Sequence, residues 1–135
     1  MSVSQRMAKY DVSACTDITG FGFLVHALEM ASDSVSICIY GDEIPYIDEA
    51  STYANEYLLT AAGQRNRKYV ATKCNVEKLP FVLQEILFDP QTSGGLLISV
   101  RKDQAYDLLA EIVSEDPQAR IVGEVFEKRN DIFIF

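Results

Sequence analysis

Residues 94–135 read GGLLISVRKDQAYDLLAEIVSEDPQARIVGEVFEKRNDIFIF, and this stretch decides the fold class. Leu96 to Val100 is a short, mostly apolar run that follows the Gly94-Gly95 loop, which predicts a strand. Ala105, Leu108, Leu109 and Ile112 fall at helical spacing, which predicts a helix over roughly 103–115. Ile121 to Phe126 and Ile132 to Phe135 read as strands joined by a turn around Arg129-Asn130-Asp131. Strand, helix, strand, turn and strand in this order have the length of a crossover followed by a hairpin.

Upstream the same alternation continues. Leu79, Val82, Leu83, Ile86 and Leu87 predict a helix with Pro80 in its first turn. That helix must stop near Asp89-Pro90, because a residue before proline avoids the α region. Ile47, Ala50, Ala54, Tyr57, Leu58 and Ala61 predict another helix, stopped by Gly63. Tyr69 to Thr72 reads as a short strand. Val35, Ile37 and Ile39 alternate with Ser36, Cys38 and Tyr40 as a strand does. Phe21, Leu24, Val25, Leu28 and Ala31 predict an amphipathic helix over 21–32, with His26 and Glu29 on its polar side. Residues 14–22, ACTDITGFG, read as a turn-rich stretch, and the polar residues before them as a helix end or a loose tail. The expected architecture is one α/β (α+β) domain, a mixed β-sheet packed with helices.

Composition narrows the function classes. With 135 residues, 48% of them hydrophobic, the chain can bury a real core without metals or disulfides. A net charge of 12 − 20 = −8 argues against general nucleic-acid binding. No apolar run reaches the ~18 residues of a membrane span, and the N-terminus lacks the apolar core of a secretory signal. These features point to the cytoplasm and away from a membrane partner. Cys15, Cys38 and Cys74 lie far apart, as reduced thiols do, and His26 is the single histidine.

Three segments have the chemistry for a site. Thr16-Asp17-Ile18-Thr19-Gly20-Phe21-Gly22 opens a helix, where unpaired N–H groups suit a phosphate. Asp17 repels phosphate directly but suits a Mg²⁺ that bridges to it. The competing reading makes Asp17 or Thr19 a helix cap and the glycines a turn. Asp89-Pro90-Gln91-Thr92-Ser93-Gly94-Gly95 suits either an anion nest or a tight entry into a strand. Arg65, Arg67, Lys68, Lys73 and Lys78 form a basic segment, most simply a solvated face. Cys15 sits beside Asp17, which would raise its pKa and so argues against an activated nucleophile.

Taken together, Ala14 to Gly22 with His26-Ala27-Leu28-Glu29-Met30-Ala31, and Asp89 to Leu97 downstream, resemble the selenophosphate synthetases (selenide, water dikinases). Arg65, Asn66 and Tyr69 also fit that family, while Phe23 and Val25 depart from its usual Leu and Gly. The resemblance implies the C-terminal domain type of the aminoimidazole ribonucleotide synthetase superfamily, in an enzyme making selenophosphate, AMP and phosphate from selenide, ATP and water. It implies that residues 14–135 are this domain and 1–13 a tail or the remnant of an interdomain segment, with the N-terminal ATP-binding domain absent. It places the catalytic nucleophile and lysine in that other domain and none here, so the chain alone is expected to be inactive. By position, Asp17 matches a metal-binding aspartate, and Thr19, Gly20 and Gly22 the adjoining phosphate-side loop. Asp89, Gln91, Thr92, Ser93, Gly94 and Gly95 match the second motif without individual roles. Mg²⁺ with ATP is the implied cofactor of the full-length enzyme, with none held tightly by this chain alone. Its partners would be the N-terminal domain and a second copy in a homodimer. The alternatives are a stand-alone dimerisation or interaction module, or a domain of a related enzyme of hydrogenase maturation or purine biosynthesis.

Overall fold

The computed structural model describes residues 2–31, 34–129 and 132–134. Its helices are α1 (Val3–Met7), α2 (Gly22–Ala31), α3 (Asp48–Asn55), α4 (Ala61–Val70), α5 (Phe81–Phe88) and α6 (Ala105–Val113). Its strands are β1 (Val12–Asp17), β2 (Val35–Ile39), β3 (Leu96–Val100), β4 (Gly123–Glu127) and β5 (Ile132–Ile134). The α/β class holds, but the strands form two sheets instead of one. In the first, β1 runs antiparallel to β3, with Cys15 opposite Ile98 and Asp17 opposite Leu96. In the second, of order β4-β2-β5, β2 is antiparallel to β4 and parallel to β5.

The expected terminal hairpin is therefore not formed, because β2 lies between β4 and β5. Ser36, Ile37, Cys38 and Ile39 are all buried, and a strand covered on both faces belongs in the middle of a sheet. The expected crossover fails for a related reason: β3 pairs with β1, in the other sheet. Lys128 and Arg129 form a bend after β4, and the Arg129 amide donates to Ser36 Oγ at 2.8 Å, tying this bend to β2. Asn130 and Asp131 lie outside the described residues.

Several boundaries move. The turn-rich reading of residues 14–22 is corrected, since Val12–Asp17 is a strand whose residues alternate half-buried and exposed. Of the two readings of the N-terminal residues, a helix end or a loose tail, the helix holds over residues 3–7 as α1, and Arg6 and Lys9 tie this segment to Glu111 of α6 and to Glu115 just beyond it. The single helix expected over 47–61 ends at Asn55, and Tyr57 follows with a positive φ of 57°. Thr60 then caps α4, its hydroxyl accepting from the Gly63 amide at 3.0 Å. Gly63 is thus inside a helix and does not end one. Residues 69–72 are not a strand: α4 continues to Val70, which is fully buried. Helix α5 ends before Asp89-Pro90, as the proline requires.

The core lies around α2. This helix packs against α4 and α5 on one side and against β1 and β2 on the other. Leu24, Val25, Ala27, Leu28 and Ala31 meet Ile37, Ile39, Val70, Leu83, Leu87 and Phe88. Because both sides are covered, the expected polar face of α2 does not exist at His26, which is buried; Glu29 alone keeps it. Val25, a departure from the family pattern, is absorbed into this core at 2% exposure. No helix among the described residues is long and apolar enough to cross a membrane.

Candidate functional site

The fold brings the two motif segments together, although about seventy residues separate them in sequence. The β1–β3 pairing runs past Asp17, where the Ile18 amide donates to the Gly95 carbonyl at 2.9 Å. The Thr19 carbonyl accepts twice, from Gly22 N at 2.9 Å and from Gln91 N at 3.1 Å. One carbonyl thus closes the turn into α2 and binds the second motif to the first.

The glycines make this contact possible. A Cβ on Gly94 would lie 2.2 Å from the Ile18 carbonyl oxygen. Gly22 has φ +73°, and a Cβ there would lie 2.8 Å from Phe88 O. Both positions require the residue without a side chain. Gly20 and Gly95 are different: a Cβ at either would meet nothing within 4 Å, so these positions are open to a ligand.

Asn66 of α4 braces the pair from below. Its Nδ2 donates to Phe88 O at 2.9 Å and to Gly20 O at 3.2 Å. Both neighbours accept, so the amide must turn its NH₂ group toward them. Phe88 is the last residue of α5, and its carbonyl has no helical partner, so Asn66 satisfies the end of that helix. Thr60 adds a second brace, donating from Oγ1 to Asp89 Oδ1 at 2.8 Å. The resemblance pointed to Asn66 without a role. Thr60 was missed, and its sequence signal was a threonine just before a helical run.

Asp17 is the last residue of β1 and is exposed. Its carboxylate makes no hydrogen bond or ion pair with a described residue. The cap reading of Asp17 and Thr19 finds no support, because the Thr19 hydroxyl is bonded to His26 Nε2 at 3.0 Å. Among the described residues no group of three or more His, Cys, Asp or Glu could hold a metal ion. Asp17 fits Mg²⁺ only as one contributor, since this ion needs phosphate oxygens or further carboxylates to complete its shell.

Gln91 folds back, its side chain donating to Asp89 O at 3.2 Å. Thr92 and Ser93 are exposed at the tip of the second loop. Arg67 is turned inward: it ion-pairs with buried Glu85, donates to Gln84 Oε1 at 2.9 Å and stacks over the Phe88 ring at 4.7 Å. Gln64 completes the satisfaction of Glu85, donating at 2.8 Å. Arg65 and Lys68 stay exposed. The Cys15 thiol is pushed up, first by loss of solvent and then by Asp17, as expected of an unreactive sulfur. Burial pushes Cys74 up to about 12.

Residues 1–135 match the family model for the AIR synthase related protein, C-terminal domain. The chain is 48% identical over 127 residues to a selenide, water dikinase of Desulfitobacterium hafniense (strain DSM 10664 / DCB-2), covering 94% of this chain and 37% of that protein. The selenide, water dikinase of Agathobacter rectalis is 46% identical over 127 residues, covering 93% and 37%. That of Campylobacter jejuni is 38% identical over 135 residues, covering 97% and 38%. The chain thus spans little more than a third of the length of these relatives. Among solved structures, Escherichia coli HypE, a hydrogenase maturation protein, superposes with a TM-score of 0.60 at 20% identity, over 98% of this chain and 34% of that one. The chain belongs to the family of C-terminal domains of AIR synthase related proteins.

Proposed function

We propose that the chain serves as the C-terminal domain of a selenide, water dikinase, an enzyme that converts selenide, ATP and water to selenophosphate, AMP and phosphate. The observation that carries this reading is the joining of the two motif loops through the Thr19 carbonyl, in a chain 48% identical to a protein of that name. The domain takes in the whole of β1 from Val12 as well as the expected residues 14–135, and its partners are an ATP-binding N-terminal domain and, in the full-length enzyme, a second copy. The nucleophile and the lysine belong to the other domain, so this chain alone makes no selenophosphate. The cytoplasm is the expected compartment.

Mg²⁺ bound with ATP would neutralise phosphate charge at this face. The residues of this chain contribute position and one charge. Asp17 offers its unpaired carboxylate from a strand end held rigid by β3. Gly20 leaves the backbone uncovered beside it. Gly22 and Gly94 let the two loops approach, and Asn66 and Asp89 keep them at fixed separation. An exposed carboxylate without partners contributes little to folding, so Asp17→Asn in a full-length enzyme should leave stability within about 0.5 kcal/mol. Selenide-dependent AMP formation should fall at least about tenfold, equivalent to roughly 1.4 kcal/mol of transition-state stabilisation. Unchanged turnover in that variant would remove Asp17 from the site.

A further inference from the structure

His26 is 7% exposed, and it holds a buried nitrogen that the fold leaves without a hydrogen bond. Its Nε2 is 3.0 Å from Thr19 Oγ1. Its Nδ1 stands 3.2 Å from Glu29 Oε2, one helical turn on, within ion-pair reach but outside hydrogen-bond alignment. The Phe21 ring meets the imidazole edge-on, at 6.0 Å between centroids. The Glu29 side chain is 53% exposed and has room to swing into line.

For a neutral imidazole these positions decide where the proton sits. A carboxylate only accepts, and a bare Nδ1 beside it would set two lone pairs against each other in a buried place. A neutral imidazole has one N–H and one lone pair, and the partner of one nitrogen sets the role of the other. With the proton on Nδ1, Nε2 becomes an acceptor and the Thr19 hydroxyl must donate to it.

We infer that His26 is a positioning residue that fixes the polarity of the Thr19 hydroxyl, so that Thr19 presents lone pairs and no proton to a ligand at the loop. A phosphate oxygen then gains nothing from this hydroxyl and can be held here only by backbone N–H groups. A donor, such as a bound water or an ammonium group, finds an acceptor ready beside Asp17. The consequence for ligands rests on the reading of the Thr19–Gly22 loop as ligand-facing, whereas the proton arrangement does not.

The chain has a single histidine, so imidazole nitrogen NMR of the ¹⁵N-labelled chain at neutral pH reports this ring alone. The expected spectrum has a protonated Nδ1 and a bare Nε2. The reverse tautomer, an imidazolium, or averaging between tautomers would each overturn the inference. Glu29→Ala should move the population toward the Nε2–H form, and an unchanged tautomer would remove Glu29 from the arrangement. Thr19→Val should shift the Nε2 resonance of a ring still protonated at Nδ1, while Thr19→Ser restores it. No shift in Thr19→Val, with the backbone amide spectrum otherwise preserved, would show that the hydroxyl is not the donor. No substrate enters these measurements, so their failure leaves the enzymatic reading standing, and failure of that reading leaves the tautomer result intact.

Discussion

Replacing Asn66 by alanine should unfasten the two motif loops without touching either motif. The amide makes two donations, to Phe88 O at 2.9 Å and Gly20 O at 3.2 Å. The first partner is the terminal carbonyl of α5, on a residue 1% exposed, so water cannot replace the lost donor. An unsatisfied buried acceptor costs about 1–3 kcal/mol. Gly20 is exposed, and losing that hydrogen bond costs only the usual net value of about 0.5–1.5 kcal/mol. The expected loss is therefore about 1.5–4.5 kcal/mol, a large share of a small domain's stability. Asn66→Asp keeps the shape but at neutral pH turns an acceptor toward two acceptors, and should lose at least as much. The chain has no tryptophan, so urea unfolding is best followed by far-UV circular dichroism at unchanged m-value. A loss below about 0.5 kcal/mol in Asn66→Ala would refute the claim that this amide braces the site.

Two further outcomes test the loops and the terminal helix. Gly94→Ala should destabilise by about 1–3 kcal/mol and weaken amide-exchange protection along β1 and β3, because its Cβ would press on Ile18 O at 2.2 Å; an unchanged melting temperature would contradict that contact. Helix α1 should loosen as pH falls below the ordinary glutamate value of 4.5, since Lys9 holds Glu111, and Arg6 holds Glu115, ionised below it. Carboxylates with depressed folded pKa values contribute stability above that pH and lose it on acidification, so protection of α1 should fall before that of α2, as hydrogen exchange would show.

What could be read in advance follows the strength of local signals. Helix α5 and its stop were legible because proline fixes backbone chemistry whatever the tertiary context. The β2 pattern was legible as a strand, but its central place was not, since pairing with β4 and β5 depends on residues some ninety positions away. The Arg129-Asn130-Asp131 turn gave a local hairpin signal, and the burial of β2 overrode it. Strand β1 was missed because VSACTD alternates between half-buried small residues and exposed ones, a faint pattern on a two-stranded sheet. The break between α3 and α4 carries neither glycine nor proline; a tyrosine takes the left-handed conformation there. At the site, the two motifs were visible as strings, but the carbonyl that joins them has no sequence signature. His26 looked like a surface residue because a lone polar side chain on an apolar helix usually is one. Helix α2 is covered on both sides, which that pattern cannot reveal.

The most direct test of the account is a domain exchange. This chain would replace the matching 127-residue stretch of the Desulfitobacterium hafniense selenide, water dikinase, to which it is 48% identical. Selenide-dependent AMP formation from ATP would then be measured beside the parent enzyme. A C-terminal domain of this function should give turnover within about tenfold of the parent, a barrier change of no more than roughly 1.4 kcal/mol. A chimera that folds and binds ATP yet forms no AMP in response to selenide would contradict it.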